Sequence, residues 1–551
     1  MIWKFGNVLA GGALAVLFVL FSLPLQAQSN NSGSNLSPGI VSPDCIGVQP
    51  GGSSDKDSGK DSSKDFHMTA QQAADLFGCV DPIMQFISDD TKYSIQRSVK
   101  RKLVTREMVT SYLMKKFDDD KGAKKLEESE LVLKKFGLLN KDFNLRPFLL
   151  SLLTEQIAGY YDEKTRTVNM LDWIPPDEQK PVLAHELTHA LQDQHAPLKK
   201  WESVTMNNTA HNVKEDNEHI ATDEVDDTRD AVLEGQAMAV FVDYGLKPAG
   251  KSILNAPEVL ENVENAMGDT TGSPVMARAP LMLQETLIFP YSNGLAFTAA
   301  VVHALGAQAA FPGVMDAPPS STFEIMNPGA YLAHDPVPTL HLADIHPLID
   351  KDYTPYDVGV MGALDVHILT ELFGGAAASD ALTPAWDGGI YYAAQRRAAT
   401  PEEKKTTASL AILYYSRWKN ADSARTFLRV YVNNLPRKYN HVQQRPAAPD
   451  APATTAESNQ ASFTTSEGDV LLIQKGRSVF ISEGFPIDLA QHLADRVTFV
   501  QSDAPSQIAV NKTTRSDDAT QSHELTAPLT QWMNGLGLMK FALPAISAAR
   551  Q

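Results

Sequence analysis

Three residues at fixed spacing, His185, Glu186 and His189, carry the chemistry most readily read from this chain; they stand as H-E-x-x-H in VLAHELTHALQDQH, residues 182–195. On an α-helix, positions i and i+4 lie one above the other on the same face. Two imidazoles so placed can grip one Zn2+ at Zn–N distances of about 2.0–2.1 Å. Glu186 lies beside them, where its carboxylate can hydrogen-bond a water on the open coordination position. The set suits metal-assisted hydrolysis: zinc lowers the pKa of the water, and the glutamate takes its proton as the water attacks a carbonyl. The alternative is a pair of histidines hydrogen-bonded inside a helical core. Context favours the metal, because Val182, Leu183, Leu187, Ala190 and Leu191 give the helix a core-facing stripe and a strand pattern precedes it.

The third ligand comes from one of two places. His195 follows His189 at the spacing of H-E-x-x-H-x-x-G-x-x-H, but Gln192 stands where that motif has its glycine. With the helix continuing, His195 would lie about 9 Å further along the axis, too far for the same ion. The rival is Glu234, in RDAVLEGQAMAV. A carboxylate among Ala, Val, Leu and Gly in mid-helix is costly unless paired or metal-bound. Gly235 and Ala237 would let that helix pack closely on the first. A solvent-facing Glu234, sharing a polar stripe with Asp230, is the other reading. The reach argument favours Glu234.

The two helices HELTHALQDQH and AVLEGQAMAVFVDY resemble the gluzincin branch of the zincin metallopeptidases, to which thermolysin belongs. More closely, they are similar to a group of exported bacterial metallopeptidases that share GYYD before the motif helix, FPYSNG at 289–294 and PPSSTFEIMNPGAYL at 318–332. The resemblance runs from about 90 to 440. It implies an α+β, predominantly helical fold: a zincin-like catalytic core with a small sheet and flanking helical regions. It implies one zinc per chain on His185, His189 and Glu234, with Glu186 as the catalytic base. Some gluzincins place an aspartate four residues after the third ligand to orient a histidine; Met238 stands there, and Asp230 is the substitute on offer. A donor for the developing oxyanion is also required, and Tyr291, His303 and Tyr331 lie in the shared segments. His211, His219, His334, His341 and His346 fall in polar or Pro-rich stretches and read as solvated.

The surrounding chain has 551 residues, 43% hydrophobic and 21% charged, enough for several cores. Its net charge of −18 is spread along the sequence, which argues against nucleic acid or anionic lipid as the main partner. Residues 1–27 read as a secretory signal peptide, with Lys4, an apolar run, Pro24 and a small-residue site ending at Ala27; the alternative is an uncleaved membrane anchor, against which the shortness of the run argues. No later segment looks apolar enough to span a bilayer, so the expectation is an exported protein, periplasmic or extracellular, with no stable membrane insertion. Cys45 and Cys79 lack metal-ligand spacing; in an oxidising compartment they either pair or stay apart.

Residues 28–66 read as a disordered linker, rich in Ser, Gly, Asn and Asp. A helical region follows over 67–150, opened by Thr69 as an N-cap. The zincin-like core spans 151–444, with a strand at RTVNML, the motif helix, a polar loop at 200–226, the Glu234 helix, and helices through AFTAAVVHAL and DVGVMGALDVHILTELF. A second linker covers 445–465. The C-terminal region, 466–551, holds a hairpin, DVLLIQ-KGR-SVFISEG, and the helix PIDLAQHLADRV.

The reading that follows is an exported zinc peptidase acting on a peptide or protein substrate. Two others stand beside it: a non-catalytic exported binding or envelope protein on the same scaffold, and a hydrolase attacking a carbonyl outside proteins.

Overall fold

The computed structural model describes residues 66–117, 120–202, 211–253, 273–446 and 458–500, together with Cys45 and a few isolated positions between 254 and 272. The expected signal peptide at 1–27, nearly all of the expected linker at 28–66, residues 447–457 of the second expected linker and residues 501–551 lie outside the described residues.

The fold is mixed α+β with helix predominating. Its longer elements, in chain order, are α1 (Ala70–Gly78), α2 (Val80–Thr91), β1 (Lys100–Val104), α3 (Arg106–Phe117), α4 (Asp120–Phe136), α5 (Leu145–Gln156), β2 (Gly159–Asp162) and β3 (Thr167–Leu171). Then come α6 (Pro176–His195), α7 (Val213–Thr222), α8 (Val225–Leu246), α9 (Leu281–Leu305), β4 (Tyr353–Val360), α10 (Ala363–Gly374), β5 (Trp386–Arg396) and β6 (Leu410–Trp418). The last are α11 (Ala421–Lys438), β7 (Val442–Gln444), β8 (Ser458–Thr465), β9 (Gly468–Lys475), β10 (Ser478–Glu483) and α12 (Ile487–Val500).

Thr69 does cap α1, with its side chain accepting from the Gln72 backbone and Gln72 reaching back, a reciprocal pair that satisfies two otherwise orphaned donors. Where one small sheet was expected there are two. The first has three strands in the order β1-β3-β2, with β1 parallel and β2 antiparallel to β3. Its β1 comes from the 67–150 region read as helical only; the run Lys-Arg-Lys hid the strand, since charges are what a solvent-facing edge carries.

The second sheet is antiparallel and seven-stranded, in the order β4-β5-β6-β10-β9-β8-β7. Several expectations change here. DVGV, taken as the start of a helix, is the end of β4, and α10 begins only at Ala363. Residues 458–465, assigned to a linker, form β8 against β9. The hairpin β9–β10 is present, and β10 pairs with β6, so the chain after 466 completes the sheet. Alternate residues of β6 enter two separate apolar cores: Leu410, Ile412 and Tyr414 face the core shared with α6, α8 and α9, while Ala411, Leu413 and Tyr415 face one closed by α12. Both faces being covered, β6 is buried throughout.

Among its described residues, the polar stretch 200–226 is mostly helical, holding α7 and the end of the short helix Leu198–Glu202. His219 and His346, read as solvated, are buried, and His346 is bonded to Asp216 at 2.9 Å and to Asp350 at 3.1 Å. Contrary to expectation, one helix, α9, is long and apolar enough to cross a membrane; half of its most apolar window is buried within the protein. Its apolar surface has an internal use, packing on α8. Cys45 and Cys79 form a disulfide, and the Tyr244 hydroxyl at the end of α8 donates to the Cys45 carbonyl at 2.7 Å.

Candidate metal centre

Helix α6 begins with Pro176 at its first turn, where a missing N–H costs nothing, and with Asp177 and Glu178 against the positive end of the dipole. The three-stranded sheet holds it in place. Gln179, fully buried, accepts from Leu171 N at 3.2 Å and donates to the Ala158 carbonyl at 3.1 Å. Farther along, the Tyr161 hydroxyl donates to Asp193 at 3.0 Å. The Tyr161 backbone N–H donates to Glu186 Oε2 at 2.8 Å, fixing that carboxylate against the edge strand β2.

Helix α8 crosses α6 and brings Glu234 over the two histidines. Glu234 Oε2 lies 3.1 Å from His185 Nε2 and 3.6 Å from His189 Nε2, and the two Nε2 atoms are 3.1 Å apart. Three lone-pair atoms therefore converge. Hydrogen bonds serve this triangle only in part: His185 Nε2 lies within hydrogen-bond reach of both other atoms yet has a single proton or a single lone pair to offer, so it can bond well to only one of them. A single cation satisfies all three. An ion in tetrahedral coordination with bonds of about 2.0–2.1 Å sets its donors about 3.3 Å apart, which these spacings match. Among the described residues, this is the one group of three or more His, Cys, Asp and Glu side chains placed to hold a metal ion.

Burial governs the electrostatics. His185, Glu186, His189 and Glu234 are each no more than 2% exposed. Desolvation pulls the His185 imidazole down to about 4, against the pull of Glu234. In His189 the same desolvation is outweighed by the Glu234 carboxylate, which holds the ring up to about 9. Glu234, despite its burial, is kept below the usual carboxylate range by His189 and His185. Metal binding by this group must therefore compete with protonation of His189.

The remaining expectations divide clearly. His195 is at the far end of α6, where its Nε2 meets Asp316 at 2.9 Å; it takes no part in the triangle. Tyr291 of α9 does reach the centre, its ring parallel to that of His185 at a centroid distance of 6.5 Å. Burial, together with the charges of Glu234, Glu186 and Asp230, raises the pKa of its hydroxyl well above the ordinary value, so it stays protonated. His303 is exposed in the last turn of α9, and the Tyr331 hydroxyl is committed to the Ala317 carbonyl at 2.7 Å.

Gly235 was expected to bring α8 close to the motif helix. It meets α9 instead: a Cβ on Gly235 would overlap the Gly294 carbonyl group, and one on Gly294 would overlap the Ala231 carbonyl. Asp230 was offered as the group orienting a histidine, yet Gln192 fills that place, with Oε1 2.8 Å from His189 Nδ1. Gln192 was noticed in the sequence only as a glycine that was missing. Its position three residues beyond His189 on the same helix was the available signal.

Comparison with family models, with curated proteins and with solved structures gives no match.

Proposed function

We propose that the chain is an exported zinc-dependent hydrolase, most simply a peptidase, with His185, His189 and Glu234 holding the ion and Glu186 acting as general base. The observation that carries this reading is the triangle of Nε2, Nε2 and Oε2 atoms with a second carboxylate next in sequence. Two imidazoles and one carboxylate suit zinc, and three protein ligands leave a position open. Zinc bound there supplies Lewis-acid activation of water and of a carbonyl. Glu186, steadied by the Tyr161 N–H, can accept a proton. Tyr291, protonated at any ordinary pH, can donate to negative charge developing at the centre. The disulfide Cys45–Cys79 supports export, since such bonds persist in oxidising compartments. Peptide bonds are the substrate class that the resemblance implies.

The test is Glu186→Gln in the full chain. Metal content at one ion per chain with turnover of a peptide library abolished supports the assignment; full turnover in the variant removes Glu186 as base. One observation favours a second reading, a zinc-holding scaffold without catalysis: every side chain of the centre is buried. Stoichiometric zinc with no chelator-sensitive cleavage of peptides or esters by the wild type would select it.

A further inference from the structure

The hydrogen bonds leading away from His189 have a defined direction. Gln236 Nε2 lies 2.8 Å from the Ala310 carbonyl and 3.1 Å from the Phe311 carbonyl. Carbonyls only accept, so the amide orientation of Gln236 is fixed and its Oε1 must face the other way. There it accepts from the Tyr93 hydroxyl at 2.7 Å and from Gln192 Nε2 at 2.8 Å. Gln192 Nε2 also donates to the Leu233 carbonyl at 3.1 Å, which fixes the second amide in turn. Gln192 Oε1 is therefore the atom presented to His189 Nδ1, 2.8 Å away. An acceptor there requires the proton on Nδ1, leaving the Nε2 lone pair for the centre.

We infer that Gln192 and Gln236 are positioning residues: a two-amide relay, anchored on the Ala310 and Phe311 carbonyls and steadied by Tyr93, that sets the tautomer and ring orientation of His189 and so its affinity for the ion. This rests on the reading of the triangle as a metal centre. The relay members Tyr93, Gln192 and Gln236 are all buried, so no water competes for these bonds. It ties the centre to a distant part of the chain, because Ala310 and Phe311 lie in the wide turn Ala309–Gly313, and Tyr93 packs edge-on against Phe311 at 6.3 Å. Both glutamines lie where neither ligand spacing nor charge would draw attention. Their role follows from the chain of donors and acceptors.

The experiment is zinc binding by chelator competition in the full chain. It is paired with observation of the His189 Nδ1–H resonance in 15N-histidine-labelled, zinc-loaded protein. Gln192→Met keeps the volume and removes the acceptor; a weakening of roughly 10–100-fold is expected, with faster exchange of the Nδ1 proton. Gln236→Met touches no ligand, and its effect must pass through Gln192. The double variant should therefore bind no more weakly than Gln192→Met alone. Should Gln236→Met fail to fold, Tyr93→Phe removes one donor to the same oxygen and is expected to give a few-fold loss. Wild-type affinity in Gln192→Met, an unprotected Nδ1–H in the wild type, or additive losses in the double variant would each overturn the relay while leaving the metal centre standing. A wild type that takes up no zinc overturns the metal centre, and the relay with it.

Discussion

Gly235 and Gly294 bring α8 and α9 into direct backbone contact, with no room for a Cβ on either side. Each glycine lies close in sequence to the residue its helix delivers to the centre: Glu234 is next to Gly235 on α8, and Tyr291 precedes Gly294 by about one turn on α9. Gly235→Ala should force the helices apart and destabilise the fold by about 1–3 kcal/mol or more, as overpacking does. Urea unfolding measures this, with Gly329→Ala as control, since a Cβ at Gly329 meets nothing within 4 Å. An unmoved midpoint for Gly235→Ala would mean the helices do not approach as described.

Metal content separates the two candidate third ligands. Glu234→Ala removes one of three donors and leaves His185 and His189 facing each other at 3.1 Å across the gap. Elemental analysis of the purified variant should show the ion lost. His195→Ala breaks a partly exposed contact with Asp316 and a ring contact with Tyr93 but removes none of the three donors, and should retain it. The reverse pattern would transfer the third position to His195.

How far the sequence disclosed this arrangement depends on which physical signal each residue leaves. The helix of His185 and His189 was legible because period 3.6 and ligand spacing coincide there. Glu234 was legible because a carboxylate in an apolar helix demands a partner. Strands β5 and β6 were not. Their runs WDGGIYYAAQR and LAILYYSRW are buried on both faces, so they lack the alternation that marks a half-buried strand. The contact of Gly235 with Gly294 joins helices far apart in sequence, and a small residue does not name its partner. Gln192 and Gln236 carry neither charge nor metal affinity. Their part depends on the direction of hydrogen bonds, which only three-dimensional neighbours define.

Tyr291→Phe probes the donor at the centre without changing its packing against His185. The phenol lies in a site closed to solvent, where a hydrogen bond to developing charge is worth more than in water. If the chain turns over substrate, the variant should bind zinc with the stoichiometry of the wild type and lose roughly 100–1,000-fold in kcat, the range for removing one such donor. Parallel metal analysis and steady-state kinetics check this. An unchanged kcat would place the donor elsewhere.

Away from the centre, the buried carboxyl of Glu224 gives the fold a pH dependence of definite sign. Burial pushes its pKa up to about 7; hydrogen bonds from Thr322 and Ser321 offset part of this, and the charges of Asp365 and Asp223 add to it. In the unfolded chain the group titrates near 4.3. Below roughly pH 4 it is protonated in both states and contributes no linkage. As pH rises from there to about 7, the unfolded chain releases the proton first, so folding becomes progressively less favourable. Above that window the penalty is constant, on the order of 4 kcal/mol. Glu224→Gln keeps an oxygen for Thr322 and presents its amide to the Ser321 hydroxyl, but it cannot ionise. The variant should therefore gain on the wild type as pH is raised from about 4 to about 8, read as the difference between their urea-unfolding free energies. A difference that stays level, or that moves toward the wild type, would show that Glu224 is ionised at no cost in the fold.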